Sequence, residues 1–309
     1  MGFRMALVGF FTDSAKAAGI SNARLFGQSE VFEPTRDLLG HPSYPAQRVQ
    51  DVDHCENAEL FLPGKRLVAL DNNGVLIPIG ANKDDEESAR ALLEELGRNS
   101  NNEVWVVSGG SLSSLRARYS GIPGVNLAAE HGTVLVPYGD VVQSVSIGGM
   151  PEIREALDGI AKRYDKMGMF VFDTQNVIAF KYNSDLYGTG VANAALREVK
   201  SILPPQIPLR QEAGKAYGEI KDLRIQKANF VAKLLQSGRF NSGIAMGDQI
   251  TDEGMFRAMN NHRFYSVIVS RAPNQETRAK NKLNDVEEVH HLLRQLIVSP
   301  SGDAVSTST

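Results

Sequence analysis

Acidic residues follow two short apolar runs of the sequence. Asp71 comes directly after Arg66–Leu70, and Asp248 and Asp252 follow residues 243–246. Carboxylate oxygens, together with a substrate phosphate, are ligands that Mg²⁺ prefers in proteins. A polar turn would account for Asp71, and the first turn of a capped helix would account for Asp252, but neither explains Asp248. The pattern therefore favours a Mg²⁺ site around Asp71 and Asp248.

Two further positions offer groups that hold a phosphate. Ser108 and Gly109 follow the apolar residues 104–107, where a hydroxyl and free backbone N–H groups can donate to phosphate oxygens. Lys227 opens a stretch with a helical pattern and would supply a positive charge. Each feature alone has an ordinary explanation, since Ser is a common helix N-cap and an isolated Lys is normally solvated. Their weight comes from the order in which all these features occur.

Strands and helices in alternation must position these residues. Compact apolar runs, typical of strands buried on both faces of a parallel sheet, lie at residues 66–70, 104–107, 125–129, 243–246 and 264–269. Helical patterns follow several of them, at residues 86–96, 112–119, 226–236 and 251–259. This alternation predicts an α/β fold with a doubly wound parallel sheet, whose ligands bind at the carboxyl ends of the strands.

The middle of the chain breaks this alternation. Residues 170–182 contain two strand-like runs with a turn at Gln175 and Asn176, flanked by helical patterns at 153–164 and 191–202. An α+β module inserted between two halves of an α/β core is best explained as a cap domain over the ligand edge. We therefore divide the chain into a tail or linker, a split core, an inserted cap and a disordered end, at residues 1–64, 65–140 with 216–298, 141–215, and 299–309.

Composition limits the partners and the compartment. The 309 residues carry a formal net charge of −3, which gives no reason to expect nucleic acid as a partner. The single cysteine, Cys55, excludes an internal disulfide and fits a reducing compartment. Since no segment approaches the eighteen apolar residues of a membrane span, we expect no membrane partner and a cytoplasmic location.

Four features in the right order carry a resemblance to a known superfamily. A strand ending in Asp71, a strand ending in Ser108-Gly109, the helix-start Lys227 and the segment Gly247-Asp248 through Asp252 resemble the four motifs of the haloacid dehalogenase (HAD) superfamily. The segments Ala-Glu-His-Gly at 129–132 and Gly-Asp-Gln-Ile-Thr-Asp-Glu at 247–253 narrow the match. Residues 65–297 look like trehalose-6-phosphate phosphatases, which complete trehalose synthesis.

The resemblance implies a role for each matching residue. Asp71 would be the nucleophile that becomes an aspartyl-phosphate, while Ser108, Gly109 and Lys227 would hold the phosphoryl oxygens. Mg²⁺ would be bound by Asp71, the backbone carbonyl of Asn73 and Asp248, with support from Asp252. Two further residues match the family segment near the mouth of the substrate site, namely Glu130 and His131.

The chain departs from the family at positions that matter for turnover. Asn73 stands where the family has the Asp that protonates the leaving oxygen and then activates water, and an amide does neither. Gly110 replaces a common Arg, and Gln249 replaces an Asp of the last motif. In the cap, the family's sugar-reading Glu and Lys fall at Phe172 and Thr174, which carry no charge.

Three functions follow from this combination. The first is a phosphatase for trehalose 6-phosphate or a related sugar phosphate, with impaired catalysis. The second is a catalytically inactive regulatory or scaffolding domain that binds subunits of a trehalose-synthesis complex. The third is a HAD phosphatase for a different phosphorylated sugar, with a cap built around Phe172 and Thr174.

Overall fold

The computed structural model of the chain describes residues 50–51, 60, 62–211, 214–273 and 275–297. The strands are β1 (Gln50–Asp51), β2 (Arg66–Leu70), β3 (Asn102–Val107), β4 (Val125–Ala129), β5 (Val134–Val136), β6 (Gln143–Ser144), β7 (Phe170–Val171), β8 (Val177–Lys181), β9 (Leu209–Gln211), β10 (Tyr217–Lys221), β11 (Ser242–Gly247), β12 (Tyr265–Val269) and β13 (Asn281–Leu283). The helices are α1 (Lys83–Arg98), α2 (Leu112–Tyr119), α3 (Met150–Arg163), α4 (Gly190–Ser201), α5 (Lys227–Gln236), α6 (Glu253–Asn261) and α7 (Val286–Gln295). Cys55, the predicted end 299–309 and nearly all of the predicted tail 1–64 lie outside the described residues.

A nine-stranded sheet forms the larger part of the fold. Its strand order is β1-β13-β12-β11-β2-β3-β4-β5-β6, and every pair from β1 to β4 is parallel. The pairs β4–β5 and β5–β6 at the other edge are antiparallel. The predicted α/β class and parallel sheet are confirmed.

Helices cover both faces of this sheet, which explains the uniformly apolar strands. In β2, Val68 and Leu70 pack in one buried cluster with residues of α1, α2 and α7. Leu67 and Ala69 point the other way, into a cluster with residues of α5 and α6. Because alternate residues of a strand point to opposite faces, a strand buried on both sides must be apolar throughout.

A four-stranded antiparallel sheet forms the smaller part. Its order is β7-β8-β10-β9, and one face packs on α3 and α4 through a cluster that includes Leu157, Phe180, Val199 and Ile220.

The chain passes from the large sheet to the small sheet, and back again, later than the boundaries predicted at 140/141 and 215/216. β6 still pairs in the large sheet, and β10 pairs with β8 in the small one. The boundaries differ because cross-strand pairing decides to which sheet β6 and β10 belong, and no change of composition in the sequence indicates that pairing.

Strand order brings the predicted site residues to one edge. Asp248, Asp71, Ser108 and Glu130 follow β11, β2, β3 and β4, which are consecutive neighbours in the sheet. Their parallel alignment places all four residues at the carboxyl edge.

None of the helices described is both long and apolar enough to cross a bilayer.

The buried Leu93 of α1 provides a test of the packing. Its side chain is fully buried in the cluster beneath the large sheet. Leu93→Ala is expected to lower the free energy of unfolding by about 2–5 kcal/mol, because it removes buried methyl groups and leaves a cavity. Denaturant unfolding of the full chain measures this. Ile79→Ala, at a 72% exposed side chain, is the control and should change stability by less than about 0.5 kcal/mol. Equal costs for the two variants would contradict the packing.

Candidate active site

A buried lysine joins the acidic residues at the carboxyl edge. Lys227, the first residue of α5, is 2% exposed, and its Nζ lies 2.8 Å from both Asp71 Oδ1 and Asp252 Oδ1. Burial alone would lower the pKa of Lys227, but the two carboxylates outweigh it and raise that pKa above its ordinary value. Lys227 is therefore a fixed positive charge beside Asp71.

The acidic residues form a cluster suited to a cation. Asp71, Asp248 and Asp252 each offer a carboxylate oxygen, and these oxygens lie within 4.8 Å of one another. Burial, together with repulsion by the neighbouring carboxylates, raises the pKa of both Asp71 and Asp248. Asp248 Oδ1 is buried without a hydrogen-bond partner. An orphaned carboxylate oxygen in a crowded anionic cluster fits a hard divalent cation such as Mg²⁺.

Asp252 plays a different part in this cluster. One of its oxygens contacts Lys227, and Oδ2 accepts the backbone N–H groups of Asp248 and Gln249 at 3.1 and 3.0 Å. These bonds fix the loop that carries Asp248. Asp252 thus orients both Lys227 and the backbone of the loop that carries Asp248.

Asn73 lines the same cavity as Asp71. The hydroxyl of Tyr119 donates to Asn72 Oδ1 at 2.7 Å, and Asn72 Nδ2 donates to Asn73 Oδ1 at 3.3 Å. This chain of bonds uses one lone pair of the Asn73 amide oxygen. The backbone N–H of Asn72 also donates to Asp71 Oδ1, at 2.7 Å. Position 73 therefore places an amide at the cavity, and an amide neither gives up nor takes up a proton near neutral pH.

The loop after β3 forms another wall. Ser108 Oγ accepts the backbone N–H of Gly110 at 3.1 Å, so its hydroxyl hydrogen can point to a ligand. Gly109 lies directly against the ring of His131, and a Cβ there would be 2.7 Å from Cε1. Only glycine allows this approach. Ser108, Gly109 and Lys227 all line the cavity with Asp71.

Glu130 and His131 follow β4 with left-handed backbone angles, φ 50° and 58°. Glu130 is 1% exposed, does not line the cavity, and accepts backbone N–H groups of the turn between β7 and β8. Burial raises the pKa of its carboxyl, although these N–H groups and Arg154 favour the charged form. Glu130 thus contacts the smaller sheet directly, while His131 lines the cavity.

His131 contacts a residue that sequence reasoning missed. Its Nε2 lies 3.1 Å from Glu219 Oε2 of β10. Burial, aided by Lys221, lowers the pKa of His131 to about 4, so the ring is neutral at pH 7. Burial alone would raise the pKa of Glu219, but the contacts with His131 and Lys221 lower it. Since a carboxylate only accepts, Nε2 carries the proton and donates to Glu219.

The smaller sheet contributes a row of side chains to the cavity. The backbone N–H of Phe172 donates to Ala179 O at 2.9 Å, Ala179 pairs with Glu219, and Glu219 pairs with Arg210. All four residues line the cavity, as do Thr174 and Tyr217. In the sequence, the alternation of Tyr217, Glu219 and Lys221 along β10 indicates that these side chains share one face of a strand. That pattern predicts a place in the cavity only if β10 is first assigned to the smaller sheet.

Family and curated comparisons agree with this architecture. The sequence model of the trehalose-phosphatase family matches residues 69–287. The chain is 25% identical over 279 residues to an alpha,alpha-trehalose-phosphate synthase (UDP-forming) of Dictyostelium discoideum, covering 87% of this chain and 34% of that protein. It is also 25% identical over 282 residues to a trehalose-phosphatase of Saccharomyces cerevisiae, covering 75% of this chain and 31% of that protein. The chain spans about a third of the length of these relatives.

Solved structures share the fold. The C-terminal domain of Candida albicans trehalose-6-phosphate phosphatase aligns with a TM-score of 0.66 at 20% identity, over 81% of this chain and 98% of that one. The C-terminal domain of the trehalose synthase regulatory protein of the same organism aligns with a TM-score of 0.62 at 14% identity, over 80% and 99%. A haloacid dehalogenase-like hydrolase of Bacteroides thetaiotaomicron aligns with a TM-score of 0.56 at 14% identity, over 75% and 99%. These likenesses show a HAD-type fold.

The match of the family model extends from β2, which precedes Asp71, to the start of α7. It therefore includes the carboxyl edge of the large sheet and the whole of the smaller sheet. The resemblance read from the sequence motifs is confirmed: the chain belongs to the trehalose-phosphatase family.

Proposed function

We propose that this chain binds a sugar phosphate at Asp71, with trehalose 6-phosphate as the first candidate, and hydrolyses it only slowly. The observation that carries the proposal is the contrast between two neighbouring positions. Asp71 retains Lys227 and the acidic cluster around it. Asn73, two residues later, presents an amide to the same cavity. The charges for binding a phosphate are present, while the group for proton transfer is lacking at position 73.

The proposed binding step uses groups that already face the cavity. Lys227 would offset the charge of the phosphoryl oxygens, and the Ser108 hydroxyl would donate to one of them. Asp71, Asp248 and the backbone carbonyl of Asn73 would hold Mg²⁺, with Asp252 orienting the loop. When bound, this ion would neutralise negative charge shared by the carboxylates and the phosphate.

The proposed chemical step explains the slow rate. A carboxylate oxygen of Asp71 would attack phosphorus, while the bond from phosphorus to the sugar oxygen breaks. That leaving oxygen needs a proton, and the later hydrolysis of the aspartyl-phosphate needs a base to activate water. The Asn73 amide supplies neither, and general acid–base assistance is worth about 10²–10⁴-fold in rate.

The row of side chains that the smaller sheet contributes to the cavity supports a sugar as the rest of the ligand. Phe172 offers an aromatic face, Glu219 offers acceptors for hydroxyl groups, and Arg210 offers donors. Phe172 and Thr174 carry no charge where the family has a charged pair, so a different phosphorylated sugar is an alternative substrate.

The single cysteine fits a cytoplasmic location, which we propose on that ground.

A non-catalytic regulatory role is the second candidate. Asn73 favours it, and so does the fold shared with the C-terminal domain of the Candida albicans trehalose synthase regulatory protein. In this role the chain would bind sugar phosphate without turnover, and it would contact subunits of a trehalose-synthesis complex. Turnover by the natural chain distinguishes the two candidates.

Restoring the carboxylate tests the role of position 73. Asn73→Asp is expected to raise the rate of phosphate release from trehalose 6-phosphate by about 10²–10⁴-fold, because it returns the proton-transfer group. Steady-state phosphate release measures this, and Asn73→Asp combined with Asp71→Asn is the control that should be inactive. Equal rates for the natural chain and Asn73→Asp would refute the proposed cause of slow turnover.

The acidic cluster predicts a measurable Mg²⁺ site. Calorimetric titration of the natural chain with MgCl₂ should give saturable binding that is lost in Asp248→Ala, because that variant removes an orphaned ligand oxygen. Asp165→Ala, at an exposed carboxylate of the smaller part, is the matched control and should bind like the natural chain. Binding that survives in Asp248→Ala would show that the ion lies elsewhere.

Mg²⁺ affinity should depend on pH. The pKa values of Asp71 and Asp248 are raised, so the pair takes up a proton at higher pH than ordinary carboxyls do. A proton must then leave before the ion binds. Affinity is expected to fall by up to about tenfold per pH unit from about pH 8 to about pH 6. The same titration at several pH values measures it, and an affinity that is constant or rises in acid would contradict the raised pKa values.

A further inference from the structure

The turn between β7 and β8 in the cap is bound by a carboxylate from the core. Glu130 accepts the backbone N–H of Gln175 on both oxygens, at 2.9 and 3.0 Å. Its Oε2 also accepts the N–H groups of Asn176 at 2.6 Å and Val177 at 3.3 Å. Three consecutive peptide N–H groups converging on one buried anion form a strong, charge-assisted binding arrangement.

The opposite side of the same turn is held from within the cap. Arg154 of α3 donates to the carbonyl oxygens of Phe172 and Thr174 at 3.2 and 2.8 Å, and to the Thr174 hydroxyl at 3.1 Å. Arg154 thus holds two carbonyl groups of this turn from within the cap, whereas the N–H groups of residues 175–177 are held from the core. Because Phe172 and Thr174 line the cavity, the position of this turn determines where those side chains lie.

A second contact runs from the next residue to another cap strand. His131 donates to Glu219 of β10 at 3.1 Å, and both side chains are buried. The positive φ angles of Glu130 and His131 let adjacent residues reach two different elements of the cap. Non-glycine residues rarely adopt such angles unless surrounding contacts compensate for the strain.

The backbone of the same two residues is bonded to the loop after β3, residues 108–110, which we name the phosphate-binding loop because Ser108 and Gly109 would hold the phosphoryl group. Glu130 N donates to Gly110 O at 3.0 Å, and His131 N donates to Ser108 O at 2.9 Å. Ser108 is the residue that would donate to the phosphoryl group. The pair Glu130–His131 therefore connects the phosphate-binding loop of the core with two strands of the cap.

From these contacts we propose that Glu130 is a positioning residue, and that with His131 it fixes the cap sheet over the phosphate-binding loop. This pair, named the clamp, sets the separation between the sugar-facing row and Asp71. The inference rests on the proposed function for the identity of the ligand, but the clamp itself is a property of the free chain. If the clamp breaks, a buried carboxylate and three peptide N–H groups lose their partners together. This cost favours the arrangement in which Glu130 stays bonded to the turn of the cap.

Amide hydrogen exchange of the full chain tests the clamp without any ligand. In Glu130→Gln, the side chain keeps its shape but loses its charge and one acceptor oxygen. Exchange at residues 175–177 should then become faster by about tenfold or more, as expected for the loss of hydrogen bonds to a charged group. Glu152→Gln, at an exposed carboxylate of α3, is the matched control and should leave the exchange unchanged. Unchanged exchange in Glu130→Gln would overturn the proposal.

A pair of binding measurements distinguishes positioning from general damage. Under the proposed function, inorganic phosphate would contact only the core groups, whereas trehalose 6-phosphate would also contact the cap. Glu130→Gln should weaken trehalose 6-phosphate binding by about tenfold while leaving phosphate binding unchanged, by the same loss of charged hydrogen bonds. Equal weakening of both ligands would refute a positioning role.

A second variant, Glu130→Asp, tests the clamp if Glu130→Gln does not fold. Glu130→Asp keeps the charge but is shorter, so exchange at residues 175–177 should lie between the natural chain and Glu130→Gln. If Glu130→Gln does not fold, faster exchange in Glu130→Asp supports the clamp and unchanged exchange overturns it. If the natural chain binds no trehalose 6-phosphate, the proposed function fails, while the exchange experiment still decides the clamp.

Discussion

The buried ammonium group of Lys227 is the interaction on which the site depends. It faces Asp71 and Asp252 at 2.8 Å, and Asp248 completes a cluster of three carboxylates around one cation. One positive charge cannot balance three negative charges in a buried site. Burial of the cluster, together with this excess of negative charge, raises the pKa values of Asp71 and Asp248. The excess also favours binding of a divalent cation when a phosphate adds further negative charge.

Much of the fold could be predicted because buried parallel strands have apolar sequences and helices have a regular period. The bounds of α2 and β2 agree with the sequence patterns, and those of α3, α4 and α5 differ by a few residues at most. The short strands β5 and β13 were not predicted, since three residues are too few to show a period. β10 was assigned to the core because its pairing with β8 is a long-range contact without a local signal.

The site was predicted best where a residue follows directly from a strand end. Asp71, Ser108 and Asp248 come together because their strands are neighbours in a parallel sheet, which local sequence indicates. Glu219 and Arg210 were missed, since their place in the cavity depends on cross-strand register. The orientation of the Asn73 amide depends on Tyr119 of a distant helix. Such contacts are specified only by the folded structure.

Chemical competence at Asp71 without a proton-transfer group at position 73 is the central claim, and a single-turnover experiment tests it most directly. The natural chain, in excess over trehalose 6-phosphate and saturated with Mg²⁺, would be sampled over time for free phosphate and for bound sugar phosphate. We expect that the sugar phosphate is bound and that phosphate appears about 10²-fold or more slowly than in Asn73→Asp. Rapid release at the rate of that variant, or no binding at all, would contradict it.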